Sequence, residues 1–273
     1  MITPEELEKL LDPVPETMLG TLRDRALEAE RPGAKLKDPV AVQVFRSLDY
    51  DWEKFGATAQ PNWMRALTFD RVSREFLAKH PAGTIVSLGD GLDTGFFRID
   101  NGTVRWVSVD VAPVVHLRDR LIPANDRLVN VPVSAFDLAW MDHVTDPGDG
   151  VLILAQGVFQ YFTEDDVTGL LQACGERFPG SEATFDVVPE WFGRKTRKGW
   201  KKRDDYQIPA MYFALDPHDL DLLRTKVPAV AKVRTERMVP GHGVFGPATM
   251  KLIYSIGKLR NAWPAIARVT FSG

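Results

Sequence analysis

The chain has 273 residues, 44% hydrophobic and 26% charged, and its 34 basic and 37 acidic side chains leave a net charge of −3. That composition can bury one sizeable core, and it excludes a global field that would draw the chain onto nucleic acid or an anionic membrane. Cys174 is the only cysteine, which rules out an internal disulfide and a cysteine-cluster metal site; no metal is expected.

From the N-terminus, Thr3-Pro4-Glu5-Glu6 reads as a helix start with proline in the first turn. It lacks the charged start and apolar run of a signal peptide. No stretch approaches the ~20 apolar residues of a membrane helix, so a cytosolic protein is expected. Further helices are predicted over 16–30, 38–48 and 61–79, the last with Trp63, Leu67, Val72 and Phe76 along one face.

The pattern changes at residue 83. Strands are predicted at Thr84–Leu88, Val104–Val109, Leu128–Val133, Val151–Ala155 and Glu182–Val187, with helices at 92–97, 114–121 and 164–178. Such alternation means βαβ crossovers and a parallel sheet covered on both faces. Residues 188–215, rich in aromatics and charges, interrupt it. Within them Arg194–Arg203 (RKTRKGWKKR) is a local basic stretch, read as a solvated loop or as a segment with an anion-binding or lid role. Asp216–Thr225 is predicted as a helix, and Ala231–Arg237 and Met250–Ile256 as the closing strands. The expectation is a doubly wound α/β domain over 1–273: a helical cap (1–80), a cofactor-binding core (81–187), a lid insertion (188–215) and the C-terminal end of the sheet (216–273).

Ligands of such sheets bind beyond the carboxyl ends of the strands. There the sequence reads GTIVSLGDGLDTGFFR, in which Gly89 and Gly91 form a G-x-G turn that lets backbone approach a ligand. Asp110, at the end of the second strand, suits a ribose diol. Asp90 and Asp93 beside the turn would repel a pyrophosphate, whereas S-adenosylmethionine has no phosphate and a net positive charge. The cofactor expected is therefore S-adenosylmethionine, with an NAD(P)-dependent oxidoreductase as the alternative. Asp137 and Leu138 can read an adenine edge, although Ser134 or Asp137 equally suits a helix N-cap. AQGVFQYF (155–162) brings Phe159, Tyr161 and Phe162 to the catalytic end, where rings can face a sulfonium or pack in the core.

Taken together, LGDGLDTGFFRIDNG, VRWVSVD, SAFDLAWMD, AQGVFQYF and RFPG resemble, in order and spacing, the leucine carboxyl methyltransferase family. RPGAKLKDPVAVQVF (31–45) and WMRALTFDRVSREFLAKHP (63–81) are similar to its bacterial polyketide O-methyltransferase branch. The resemblance covers roughly residues 20–260. It implies a class I methyltransferase fold, with a seven-stranded, mostly parallel sheet whose final strand is antiparallel. By the same resemblance, Arg65 holds the methionine carboxylate, Gly89 lies under the methionine part, Asp110 binds the ribose, and Asp137 with Leu138 frames the adenine.

The chain departs from the family pattern at three places. Gln156 stands where an acid is usual, Gly95 where an arginine is usual, and Asp90 where a small residue is usual. The implied activity is methyl transfer to a carboxyl or hydroxyl oxygen of a small molecule; these departures also suit a protein that keeps the fold without turnover. Tyr161 and His242 are the candidate catalytic side chains, although His242 suits a turn without catalytic duty better, and Arg65 has an alternative role in an ion pair with Asp70 or Glu75. Trp191, Tyr206 and Tyr212 are candidates for the acceptor wall.

Overall fold

The computed structural model describes Ile2, Glu5, Leu7, 13–203 and 206–273, without the side chains of Pro13, Lys202, Arg203 and Tyr206. The predicted helix start at Thr3-Pro4-Glu6 lies outside the described residues. Helices α1 (Pro13–Ala29), α2 (Pro39–Ser47) and α3 (Gln60–Leu77) come first. Asp38 ends the loop before α2 by accepting the Ala41 N–H, as an N-cap carboxylate should.

Then β1 (Thr84–Leu88), β2 (Arg105–Val109), β3 (Leu128–Val131), β4 (Val151–Ala155) and β5 (Glu182–Val187) alternate with α4 (Gly95–Ile99), α5 (Ala112–Leu121) and α6 (Glu164–Arg177). The insertion holds α7 (Glu190–Arg197) and a small hairpin, β6 (Lys201–Arg203) with β7 (Tyr206–Gln207). After the single turn α8 (Leu223–Lys226) come β8 (Val230–Glu236), α9 (Pro247–Ser255), α10 (Gly257–Asn261) and β9 (Ala265–Phe271).

The main sheet is seven-stranded, in the order β3-β2-β1-β4-β5-β9-β8. Strands β1 to β5 pair in parallel, and β9 runs antiparallel between β5 and β8. The strand order reverses between β1 and β4, the switch point where open α/β sheets hold ligands. Both faces are buried. Val86, Leu88 and Ile153 pack toward Val167, Leu170 and Cys174 of α6, while Ile85, Leu152 and Leu154 pack toward Trp63, Phe69, Val72 and Phe76 of α3. This accounts for the unbroken apolar run of β4 and for the burial of every residue of β1, Thr84 and Ser87 included. Burial pushes the Cys174 thiol up to about 12, as befits a core residue.

Two expectations fail at the C-terminal end. Met250–Ile256 is not a strand but most of α9: Gly246-Pro247 sets a helix start, with Met250 buried and Leu252 exposed on a one-sided surface. The closing strand is Ala265–Phe271, which the sequence reading passed over. The helix expected over 216–225 contracts to a 3-10 turn at Leu220–Leu222 and α8.

Candidate active site

A cavity of about 1200 Å³ runs over the carboxyl ends of the strands, from Ser134 and Ala135 beyond β3 to Ala265 on β9. Six strand ends at roughly 4.8 Å spacing make this crest about 24 Å long. The volume exceeds the roughly 300–1,000 Å³ that one drug-sized ligand uses, leaving room for a cofactor and an acceptor.

The glycine turn forms the floor of one half. Gly89 (φ +58) and Gly91 (φ +52) both occupy the left-handed region, and a Cβ on Gly89 would lie 2.3 Å from Val158 Cγ2. A side chain there would be strained and obstructed at once, so the backbone stays bare toward the cavity. Asp110 lines the same half. Its Oδ2 accepts the Gly91 N–H at 2.8 Å and its Oδ1 the Val111 N–H at 2.8 Å, leaving each oxygen a further lone pair. Burial raises the Asp110 carboxyl above its ordinary range, against the pull of those two N–H groups.

Asp90 and Asp93 are not the free charges that the sequence suggested. Asp90 meets Arg118 Nη2 at 2.9 Å and accepts from Ser87 Oγ at 2.7 Å. Asp93 meets Arg98 Nη2 at 3.1 Å and Arg25 Nη1 at 3.3 Å. Burial opposes the ionised form of Asp93, yet Arg98, Arg25 and the Gly95 N–H outweigh it and hold the carboxyl well below the usual range. Arg98 also bonds Asp70 (2.9 Å) and Asp38 (2.8 Å), and Arg25 donates to the Leu92 carbonyl at 2.7 Å. The charge argument survives in the total. The cavity is lined by Asp24, Asp70, Asp90, Asp93, Asp110 and Asp186 against Arg23, Arg25, Arg65 and Arg98, with Arg118 behind Asp90 as a fifth guanidinium, a small excess of acid that favours a cationic ligand.

Arg65 lines the cavity, and its ion pair is with neither Asp70 nor Glu75. Its Nη1 lies 2.9 Å from Asp186 Oδ2 at the crest of β5, and Asp186 Oδ1 accepts the Gly157 N–H at 2.5 Å. A Cβ on Gly157 would fall 3.0 Å from Arg65 Nη2, so glycine lets the guanidinium lie against the turn. Arg65 Nε is buried with no hydrogen-bond partner among the described residues. Gln156 lines the cavity beside this pair. Asp186 was not singled out in the sequence, because nothing local marks a strand-end aspartate that meets a residue 121 positions earlier.

Other expected site residues fall elsewhere. Asp137 caps a 3-10 turn by accepting the Ala139 N–H, and Leu138 is exposed; Ser134 and Ala135 line the cavity where this pair was expected. His242 sits outside it, 2.8 Å from Glu28 Oε1, with its ring against Trp63. Phe159 packs on Phe185 in the core, leaving Tyr161 and Phe162 at the cavity. Burial raises the Tyr161 hydroxyl, which lies beside Thr17 and Gln160.

Trp191 lines the second half with Phe192, Ile208, Met211 and Trp263. Tyr212 is 57% exposed and points away from this wall, and the side chain of Tyr206 lies outside the described residues. The basic stretch 194–203 presents Arg194, Lys195, Arg197, Lys198 and Lys201 to solvent, with Lys195 Nζ 3.5 Å over the Trp200 ring.

Residues 18–175, more than half of the chain, match the family profile described as Leucine carboxyl methyltransferase. The chain is 35% identical over 186 residues to the tetracenomycin polyketide synthesis O-methyltransferase TcmP of Streptomyces glaucescens, covering 65% of this chain and 67% of that protein. It is 30% identical over 192 residues to the S-adenosyl-L-methionine-dependent methyltransferase dpfgK of Gibberella zeae, covering 63% of this chain and 64% of that one. The chain thus spans about two thirds of the length of these relatives. The crystal structure of the plantazolicin methyltransferase BamL, in complex with a triazolic desmethylPZN analog and SAH, superposes with a TM-score of 0.50 at 9% identity, covering 95% of this chain and 98% of that one. At that identity the likeness concerns the fold.

Proposed function

This chain belongs to the leucine carboxyl methyltransferase family and takes S-adenosylmethionine as its cofactor, and from that premise we propose that it transfers the methyl group to an oxygen of a small, planar, polyketide-like molecule. The observation that carries the reading is the continuity of the cavity: one acid-rich half over the glycine turn opens directly into an apolar, aromatic half. S-adenosylmethionine bound over the turn supplies an electrophilic methyl group. The residues present fit it. Asp110 is the candidate for the ribose hydroxyls, the bare backbone at Gly89 and Gly91 for the methionine part, and the unpartnered edge of Arg65 for the carboxylate.

At the adenine end, Ser134 and Ala135 replace Asp137 and Leu138 as candidates. The neutral Gln156 has a carboxylate close by, since Asp186 binds the adjacent Gly157 N–H; that charge can face the cofactor ammonium. The chain's part in transfer is to align the acceptor oxygen with the methyl–sulfur bond and to keep water out, and Trp191, Phe192, Met211 and Trp263 give the walls for it. Tyr161, between the two halves, is the candidate to orient the acceptor. The family's chemistry displaces the oxidoreductase alternative. TcmP is a polyketide O-methyltransferase by its name, and the aromatic wall suits an acceptor of that shape.

Titration calorimetry with S-adenosylmethionine tests the cofactor assignment. Asp110→Ala is expected to weaken binding about a hundredfold, as loss of charge-assisted hydrogen bonds of roughly 1.5–3 kcal/mol each requires. Undiminished affinity in that variant overturns the ribose assignment. Mass spectrometry of products from hydroxylated and carboxylated aromatic compounds tests the oxygen assignment, and transfer to nitrogen alone would refute it.

A further inference from the structure

Two segments meet at the rim of the cavity. Trp191 of α7 donates its indole N–H to the carbonyl of Ala262, the residue after α10, at 3.1 Å. Ring contacts carry this rim outward: Trp191 on Phe192 (centroids 5.5 Å), Phe192 on Trp200 (5.3 Å), and Lys195 Nζ over the Trp200 ring. Trp191, Arg194, Lys195 and Lys198 recur at helical spacing and are all exposed, while Gly193 and Thr196 between them are buried. On the other segment every residue from Ser255 to Arg260 is exposed, Ile256 and Leu259 at 42% each, with Leu252 at 53% before them. Exposed Lys251, Lys258 and Arg260 are interleaved with these aliphatics, and no aspartate or glutamate occurs from 237 to 273. The acids beside α7 are Glu190, 3.8 Å from Arg197, and Asp216, which accepts the Glu190 N–H; both sit at the start of that helix. Asp204 and Asp205 lie outside the described residues. A chain of net charge −3 thus has one cationic side, studded with large apolar side chains left in water.

We propose that this rim docks on an anionic lipid surface, with Trp191, Ile256 and Leu259 set among the headgroups and the lysines and arginines on their phosphates. Cations together with exposed indole and aliphatic side chains are what an interfacial contact requires. A protein partner favours an apolar core ringed by polar groups, and lysine is depleted in such interfaces; here aliphatics and cations alternate along the chain. Among the described residues no helix is long and apolar enough to cross a membrane, so the contact is one of lying on the surface. The attraction is local, because the net charge of the whole chain is negative, and it therefore orients the molecule as well as holding it. The inference goes beyond the methyltransferase reading and touches it at one point. The docked rim is the edge of the apolar half of the cavity, so an apolar acceptor dissolved in lipid would reach that half without crossing water.

The test is co-sedimentation of the full chain with vesicles of phosphatidylcholine alone and of phosphatidylcholine containing about one third phosphatidylglycerol. The wild type is expected to bind the anionic vesicles and not the neutral ones, with binding that weakens as salt rises. Joint replacement Arg194→Gln, Lys195→Gln and Lys198→Gln is expected to weaken binding about a hundredfold, at roughly fivefold per cation. Ile256→Ser with Leu259→Ser keeps every charge and is expected to weaken it about tenfold; a purely electrostatic patch would not respond. Both variants change exposed residues only, so their circular dichroism and their S-adenosylmethionine affinity without vesicles should match the wild type. Equal binding to both vesicle types, no binding by the wild type, or a serine variant that binds like the wild type overturns the proposal. If vesicles are refused, retention of soluble polyglutamate would assign the face to an acidic protein, and dimerisation lost in the serine variant would assign it to a second copy of the chain. Failure of the wild type to bind S-adenosylmethionine without vesicles would sink the methyltransferase reading and leave the docking result standing, so the two failures are separable.

Discussion

The two halves of the cavity are built by different means. The half over β1 and β2 is held by ionic and backbone geometry: left-handed glycines, a carboxylate bonded to two N–H groups, and arginines shared among aspartates from several elements. The half over β5 and β9 is walled by rings and the Met211 thioether from the insertion and the segment before β9, with Gln160 and Asp186 among its polar lining residues. Charge and backbone constraints fix a ligand's orientation and tolerate little change. Apolar walls set shape, and they accept substitution as long as volume is kept. One half is therefore suited to an invariant cofactor and the other to an adjustable acceptor.

Breaking the ionic half should cost most. Arg98→Leu leaves Asp38, Asp70 and Asp93 without their shared guanidinium, and removal of one partner from a buried ion network costs about 3–5 kcal/mol. Chemical denaturation should show that loss of stability. Next comes Gly89→Ala. The Cβ meets Val158 and the left-handed backbone costs a further ~1–2 kcal/mol, so calorimetry should show S-adenosylmethionine affinity reduced at least tenfold. The matching cut in the apolar half, Phe192→Ala, should leave cofactor affinity within about twofold while weakening a bound aromatic acceptor roughly tenfold, the usual scale for truncating a ring at an interface. Equal effects of both variants on cofactor binding would erase the distinction between the halves.

The smallest effect sharpens it. Burial raises the Asp110 carboxyl, and protonation removes acceptor capacity for ribose hydroxyls. Cofactor affinity should therefore fall on acidification, beginning above the ordinary aspartate range. Asp110→Asn should flatten that dependence in a pH series of titrations.

The same contrast explains what could be read from the sequence. β1, β4 and β5 were legible to the residue because each is a short stretch rich in β-branched and apolar residues with clear ends, as a strand buried on both faces requires. The glycine turn was legible because its requirement is local. The partners of its aspartates were not: Arg98 joins residues 28 and 60 positions away, and Arg65 reaches across the chain to Asp186, so no periodicity announces either pair. His242 was read from its glycine-rich neighbourhood, whereas Glu28 and Trp63 of the N-terminal helices decide where it sits. At the C-terminus the β-branched and aromatic composition of Met250–Ile256 suggested a strand, while Gly246-Pro247 upstream was the stronger instruction.

The aspartate–arginine cluster has a consequence for traffic through the cavity. Arg25 of α1 and Asp38 at the start of α2 bind directly into the turn after β1, so lifting those helices would strip counter-ions from buried charges, at several kcal/mol per ion. The N-terminal helices are thereby a poor door. The rim at Trp191, secured to Ala262 by one indole hydrogen bond of 3.1 Å, is the cheaper threshold, and molecules that come and go would cross the fold on that side.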